Sequence, residues 1–287
     1  MRVLFRAGLG VSSLALLLAS TPVCAQPEQA GSAALAEGTV IAIGSSGTQR
    51  PLHDGDAVYA GDSISTSANS YADLELDDGG RILLRPGSEF QIEQYHFDPA
   101  AHGLAGDSDA SPSTPDTAQP EEQESAIFRL IKGGLRAIDG LIGKTEPQAY
   151  AMQTPVATIG IRGTEYDVRY CESNCQDEAE NGVAPDNGLY TAVNEGSIGI
   201  KNDTGVGVVK QGGYGFLENR RMRFRLLKAR PHALRHMALP ERFRDRVERM
   251  RKLIKQRRLR RWKALRKRHR RHGRRYLQQD SGGPGQS

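Results

Sequence analysis

The sequence predicts an all-β protein: a compact meander of short strands, a β-sandwich or a short β-solenoid-like stack, interrupted by a disordered acidic loop and followed by a C-terminal basic α-helix. Three observations carry this. Apolar and polar side chains alternate over strand lengths between Gly and Asp turns, most clearly in Tyr71-Ala72-Asp73-Leu74-Glu75-Leu76 and Phe90-Gln91-Ile92-Glu93. Only 38% of the 287 residues are hydrophobic and 6% aromatic, so much of the chain lies outside any core. Charge is also segregated: residues 26–219 hold 30 acidic and 11 basic residues, whereas residues 220–276 hold 26 basic and 3 acidic. The overall net charge of +5 describes neither part.

Taken in order, residues 1–25 place Arg2 and Arg6 before an apolar run, then Pro22 and the small Ala25, the three-part order of a secretory signal peptide. The run is shorter than the roughly 20 residues of a membrane-spanning helix, and no later segment is apolar enough to span. The mature chain is therefore expected to be soluble in an exported compartment, the periplasm. Residues 26–36 read as a linker. Residues 37–97 form the first half of the β module, with Asp77-Asp78-Gly79-Gly80 as its strongest turn signal. Residues 98–124 abandon alternation for Pro, Ser, Asp and Glu; such a stretch buries too little to offset its ordering entropy and reads as a disordered acidic insertion. Strand text resumes over residues 125–219, the second half of the same module. Within it Gly133–Gly143 fits a short helix or a strand pair, and strand is favoured. Residues 220–276 read as a basic helical tail, with Phe243, Val247, Met250 and Ile254 at helical spacing, Pro240 near its start and Gly273 at its end. Residues 277–287 read as disordered.

The motifs point away from catalysis. Gly143-Lys144-Thr145 resembles the end of a phosphate loop, but Ile138 stands where its first glycine belongs. Gly205-Val206-Gly207 begins a dinucleotide fingerprint whose last glycine position is Lys210. The seven His residues are scattered, and no Gly-x-Ser-x-Gly elbow occurs. The chain is thus expected to be no enzyme, with no catalytic, cofactor or metal residue. The acidic run Asp177-Glu178-Ala179-Glu180 with Asp186 could hold calcium or be a solvated loop; it lacks the alternating ligand spacing of a calcium loop, which favours the latter. With Cys24 removed, Cys171 and Cys175 remain. A disulfide, free thiols and a metal site are the open readings, and an oxidising compartment favours the disulfide.

The ordered set Gly55-Asp56-Ala57-Val58-Tyr59-Ala60-Gly61-Asp62-Ser63-Ile64-Ser65-Thr66, Ala72-Asp73-Leu74-Glu75-Leu76, Asp78-Gly79-Gly80 and Leu83-Leu84-Arg85-Pro86-Gly87-Ser88 resembles the FecR domain. Phe128–Lys132 with Gly133-Gly134, and Thr154-Pro155-Val156-Ala157-Thr158-Ile159-Gly160-Ile161-Arg162-Gly163-Thr164-Glu165-Tyr166, resemble stand-alone exported members of that family. The likeness spans about residues 37–218 and implies a periplasmic β-rich sensing or interaction module. Its best-known members sit behind a membrane span and relay a transporter's signal to a cytosolic sigma-factor partner. Against that layout this chain is expected to lack a cytosolic N-terminal region and a span after the signal, and to carry a cationic tail.

Within the module Arg162 interrupts an apolar strand, and as a buried or half-buried cation it should meet a carboxylate, with Glu165, Asp167, Asp73 or Asp78 as candidates. In the tail, Trp262 among Arg257, Arg258, Arg260, Arg261 and Lys263 suits an interfacial helix whose cations meet phosphates. Partners are expected to be an envelope protein or glycan for the β face, and anionic lipid or lipopolysaccharide for the tail. The other reading folds the tail back onto its own acidic domain beside a separate membrane signalling partner. Nucleic acid would satisfy the same cations, but export argues against it.

Overall fold

The computed structural model describes residues 27–102, 123–179 and 181–237. The first half contributes β1 (Gln29–Glu37), β2 (Val40–Ile43), β3 (Gln49–Pro51), β4 (Ala57–Tyr59), β5 (Ser63–Thr66), β6 (Tyr71–Leu76), β7 (Arg81–Leu84) and β8 (Glu89–His96). The second contributes β9 (Ser125–Ile138), helix α1 (Leu141–Thr145), β10 (Tyr150–Gln153), β11 (Thr158–Cys171), β12 (Gly188–Asn202), β13 (Gly205–Lys210), β14 (Tyr214–Leu217) and β15 (Arg225–Leu227), with single 3-10 turns at Pro147–Ala149, Gln176–Glu178 and His232–Met237.

The described residues are thus all-β apart from one short helix. Their fifteen strands make one hydrogen-bonded network. Three strands, β9, β11 and β12, are long enough to run through two half-sheets, changing neighbours midway. The first half-sheet has the order β3-β2-β5-β8-β9-β10-β11-β12-β13, using the start of β9 and β11 and the end of β12. The second has the order β4-β1-β6-β7-β9-β11-β12-β14-β15, using the opposite portions of the same three strands. Strands that change partners in this way make the corners between the two half-sheets. Among the described strands only β9 and β10 pair in parallel.

Both half-sheets share one apolar core, in which Phe90 stacks on Phe128 at 5.6 Å and Phe128 meets the edge of Tyr150 at 5.7 Å. Gly133 makes one corner. Its φ of +79° and a virtual Cβ only 2.6 Å from Ser88 Cα leave no room for a side chain. Ser88 locks that corner, its Oγ donating to the Gly134 carbonyl and accepting the Gly134 N–H, both at 2.9 Å. Because β7 and β8 both flank β9, strands from before and after the insertion are interleaved in one module. The insertion's stem is clasped: Glu124 Oε1 accepts the Asp98 N–H at 3.2 Å and lies 2.9 Å from His102 Nε2. Residues 103–122 lie outside the described set.

Three expectations are corrected. The stretch expected as a linker is mostly β1, which inserts between β4 and β6 because its inward residues Ala30 and Ala33 are small enough to be fully buried. Residues 220–231 are not helical, and His232–Met237 is a 3-10 helix rather than an α-helix. Phe224 packs over Gly207 and Gly215, β15 pairs with β14, and Ala233 and Leu234 are buried, so this segment completes the β module. The stretch Gly133–Gly143, expected as strand, is strand through Ile138 and then enters α1. Residues 1–26 and 238–287, with the signal and most of the tail, lie outside the described set. Among the described residues no helix is long and apolar enough to cross a membrane.

Candidate interaction face

Alternation along β11 sends Tyr166 and Val168 into the core and Glu165, Asp167 and Arg169 to the outer face of the second half-sheet. Asp167 stands directly opposite Arg136 of β9, which grips it in a two-pronged contact (Nε to Oδ1 2.6 Å, Nη2 to Oδ2 3.0 Å). Arg230 reaches the same carboxylate at 3.2 Å and donates through Nε to the Leu234 carbonyl at 3.0 Å, tying the C-terminal segment to β11. Arg81 pairs with Asp73 on the neighbouring strands. Arg169 holds Glu178 at 2.9 Å and both oxygens of Asp177 at 2.7 and 2.9 Å. Two of the carboxylates weighed as calcium ligands, Asp177 and Glu178, are thus engaged by a cation. Arg169 Nε also lies 3.2 Å from Cys175 Sγ, and Cys175 is disulfide-bonded to Cys171.

The disulfide loop closes one wall of a cleft of about 470 Å³. Arg85 and Tyr71 line the opposite wall, the guanidinium lying 5.1 Å from the ring centroid. Burial pulls the Arg85 pKa below its usual value, and the Tyr71 hydroxyl works against that shift. Behind the loop Tyr190 packs on Phe216 at 4.6 Å, and burial followed by the Asp186 charge pushes the Tyr190 phenol up to about 12.

Arg162 is not among these buried cations, contrary to expectation. With Ile161 turned into the core, Arg162 faces outward and is exposed, and the strand bulges directly after it. No ion pair reaches it among the described residues. Its companions are instead on the first half-sheet: Gly160 lies opposite Gly199, and Lys201 lies opposite Val206.

At this end of the module the surface becomes both cationic and apolar. Val206 is 66% exposed, Val208 51%, Met222 48% and Leu226 65%, four of the five exposed large hydrophobic side chains among the described residues. The turn carrying Met222 is fastened to the β12–β13 hairpin, its carbonyl accepting Asn202 Nδ2 at 2.7 Å. Residues 201–230 hold 8 basic and 2 acidic side chains. Lys201, Lys210, Arg220, Arg221, Arg223 and Arg225 are all exposed. The expected tail residues Arg257, Arg258, Arg260, Arg261, Trp262 and Lys263 lie outside the described set.

Sequence reasoning missed both this patch and the buried Arg136–Asp167 pair. The patch had a signal in the Val-Gly-Val-Val run that precedes Arg220-Arg221-Met222-Arg223, but the strand pairing that exposes the valines is non-local.

The family model described as FecR protein matches residues 62–198. No curated protein matches the chain. Two crystal structures of a protein assigned as an anti-sigma factor from Parabacteroides distasonis ATCC 8503 superpose partially, with TM-scores of 0.39 and 0.38 and 11% and 12% identity. In each case 58% of this chain and 60% of the other is covered. Over residues 62–198, spanning β5 to the end portion of β12, the chain is similar to the FecR protein family.

Proposed function

We propose that this protein is a non-enzymatic interaction or sensing module of the bacterial periplasm, held by its cationic end and tail against an anionic envelope surface or partner. Segregation of charge carries the reading: an acidic module ends in a patch where exposed Val206, Val208, Met222 and Leu226 sit among cations, and the chain continues into a more basic tail. Apolar side chains can enter an interface while surrounding cations meet phosphates. Similarity to the FecR family supports a regulatory role, and the Cys171–Cys175 disulfide fits an oxidising compartment, as does the N-terminal sequence. The buried ionisable groups described above are engaged in pairs that hold strands together, which favours a binding role over a catalytic one.

A second reading has its own observation. Arg230 on Asp167, with Ala233 and Leu234 buried behind the disulfide, docks the segment leading into the tail on the acidic module. In that reading the tail folds back, and a separate membrane protein carries the signal. The test compares the mature chain with a chain ending at Met237 for binding to phosphatidylglycerol vesicles and to lipopolysaccharide, at low salt and at roughly 150 mM, where screening acts beyond about 8 Å. Binding that depends on the tail and weakens with salt supports the tether. Equal or stronger binding by the shortened chain supports the folded-back tail.

A further inference from the structure

Four strands end the two half-sheets: β3 and β13 on the first, β4 and β15 on the second. An edge strand presents unpaired N–H and C=O groups, and natural proteins blunt such edges with short length, proline or charge. Three of these edges are blunted. β3 has three residues and ends in Pro51, β4 has three residues, and β15 has three residues beginning with Arg225. β13 is different. It runs for six residues, Gly205-Val206-Gly207-Val208-Val209-Lys210, without proline and without a charge before its last position. Its strand neighbour among the described residues is β12 alone.

The side chains of this edge also have a direction. Val209 is buried in the core and Gly207 lies under the Phe224 ring, so Val206 and Val208 project together from the outer face. They have flat ground beside them, since Val208 lies opposite Gly199, which in turn lies opposite Gly160. A strand added beyond β13 would find backbone partners along one side and two apolar neighbours on one face. Pairing with a second copy of β13 would bring two sets of Lys201, Lys210 and Arg220–Arg225 together, and like charges oppose it. Charge complementarity selects an acidic strand.

We propose that β13 is a strand-addition site: an extended segment of a partner protein, apolar at alternate positions and acidic between them, pairs with Gly205–Lys210 and lengthens the first half-sheet by one strand. This rests on the cationic end being the contact surface, and names the partner's chemistry.

The mature chain is titrated with a synthetic peptide of alternating Glu and Val, with the same peptide N-methylated at every second residue, and with a peptide of alternating Lys and Val. Binding is read by fluorescence anisotropy, and backbone amide exchange is followed at residues 205–210. The Glu–Val peptide is expected to bind and to slow exchange there, with affinity falling at least about tenfold, 1.4 kcal/mol, on N-methylation or reversal of charge. Val206→Glu and Val208→Glu, both at exposed positions, should weaken binding by a similar factor with unchanged thermal unfolding. Absence of binding, binding that leaves exchange at 205–210 unaltered, or binding indifferent to N-methylation overturns the proposal. Protection of 205–210 by phosphatidylglycerol vesicles but not by the peptide also overturns it while leaving the surface tether standing. Peptide binding without vesicle binding supports strand addition and removes the lipid tether.

Discussion

The buried carboxylate of Asp78 accepts the Gly80 N–H at 2.9 Å and the Ile142 N–H at 3.3 Å, while its carbonyl takes the Leu141 N–H at 3.0 Å. Its own N–H donates to the Tyr95 hydroxyl at 2.8 Å. One residue thus clamps the β6–β7 turn to the entry of α1, joining the two halves of the module. Asp78→Ala would strand buried N–H groups and is expected to cost about 1–3 kcal/mol in urea unfolding. Burial raises the Asp78 pKa, outweighing these hydrogen bonds. The native state therefore holds this proton more tightly than the unfolded chain, and the contribution is full below the unfolded pKa and lost as pH rises through the folded one. Urea midpoints measured upward from about pH 4 should show the wild type losing stability relative to Asp78→Asn. Asp167 is a buried carboxylate shared by two arginines. Asp167→Ala leaves the half-buried Arg136 with only Glu165 at 3.5 Å and frees the exposed Arg230, and should cost about 1–3 kcal/mol, readable in the same assay. Neither role was legible: the Asp-Gly turn was recognised, but the partner of its aspartate lies 64 residues away.

Among the elements, the long strands decide the architecture, and their corners are the sensitive points. Gly196 has φ of +75°, and a Cβ there would stand 2.3 Å from the Gly163 carbonyl oxygen. Gly196→Ala is expected to lose at least about 1–2 kcal/mol from the left-handed backbone alone, with the steric clash added, and thermal unfolding would show it. The disulfide closes a very short loop, so chain entropy gives it about 2 kcal/mol. Reduction should lower the urea midpoint by that order and raise amide exchange in the 172–178 loop that walls the cleft. Strand periodicity was readable where large apolar residues alternate, as in β6 and β8. It was weak in β1, whose inward positions are alanines, and in residues 220–237, whose arginines suggested a solvated helix. Arg225 in fact lies 5.0 Å from the Phe216 ring centroid, and Phe224 caps two glycines.

At the scale of the whole molecule, the acidic module and the basic tail do not divide at residue 219. A chain ending there would lose Phe224, β15 and the Ala233–Leu234 contact with the disulfide cluster. We expect it to unfold at lower temperature than a chain ending at Met237, which should melt close to the mature protein; scanning calorimetry of the three distinguishes these outcomes. The boundary at 237 also makes the vesicle comparison interpretable, because it removes the tail cations and keeps every described core residue.

Composition and alternation were enough to predict an all-β module and its reversal of charge, and the ordered motif set carried the resemblance to the FecR family, because each is a property of local order along the chain. The buried arginine pairs, the glycine corners, the outward face of Arg162 and the exposed edge of β13 were decided only by tertiary structure. Each depends on which strand lies beside which. Pairing partners tens of residues apart determine whether a given arginine meets a carboxylate or water, and whether a valine completes a core or waits at an edge.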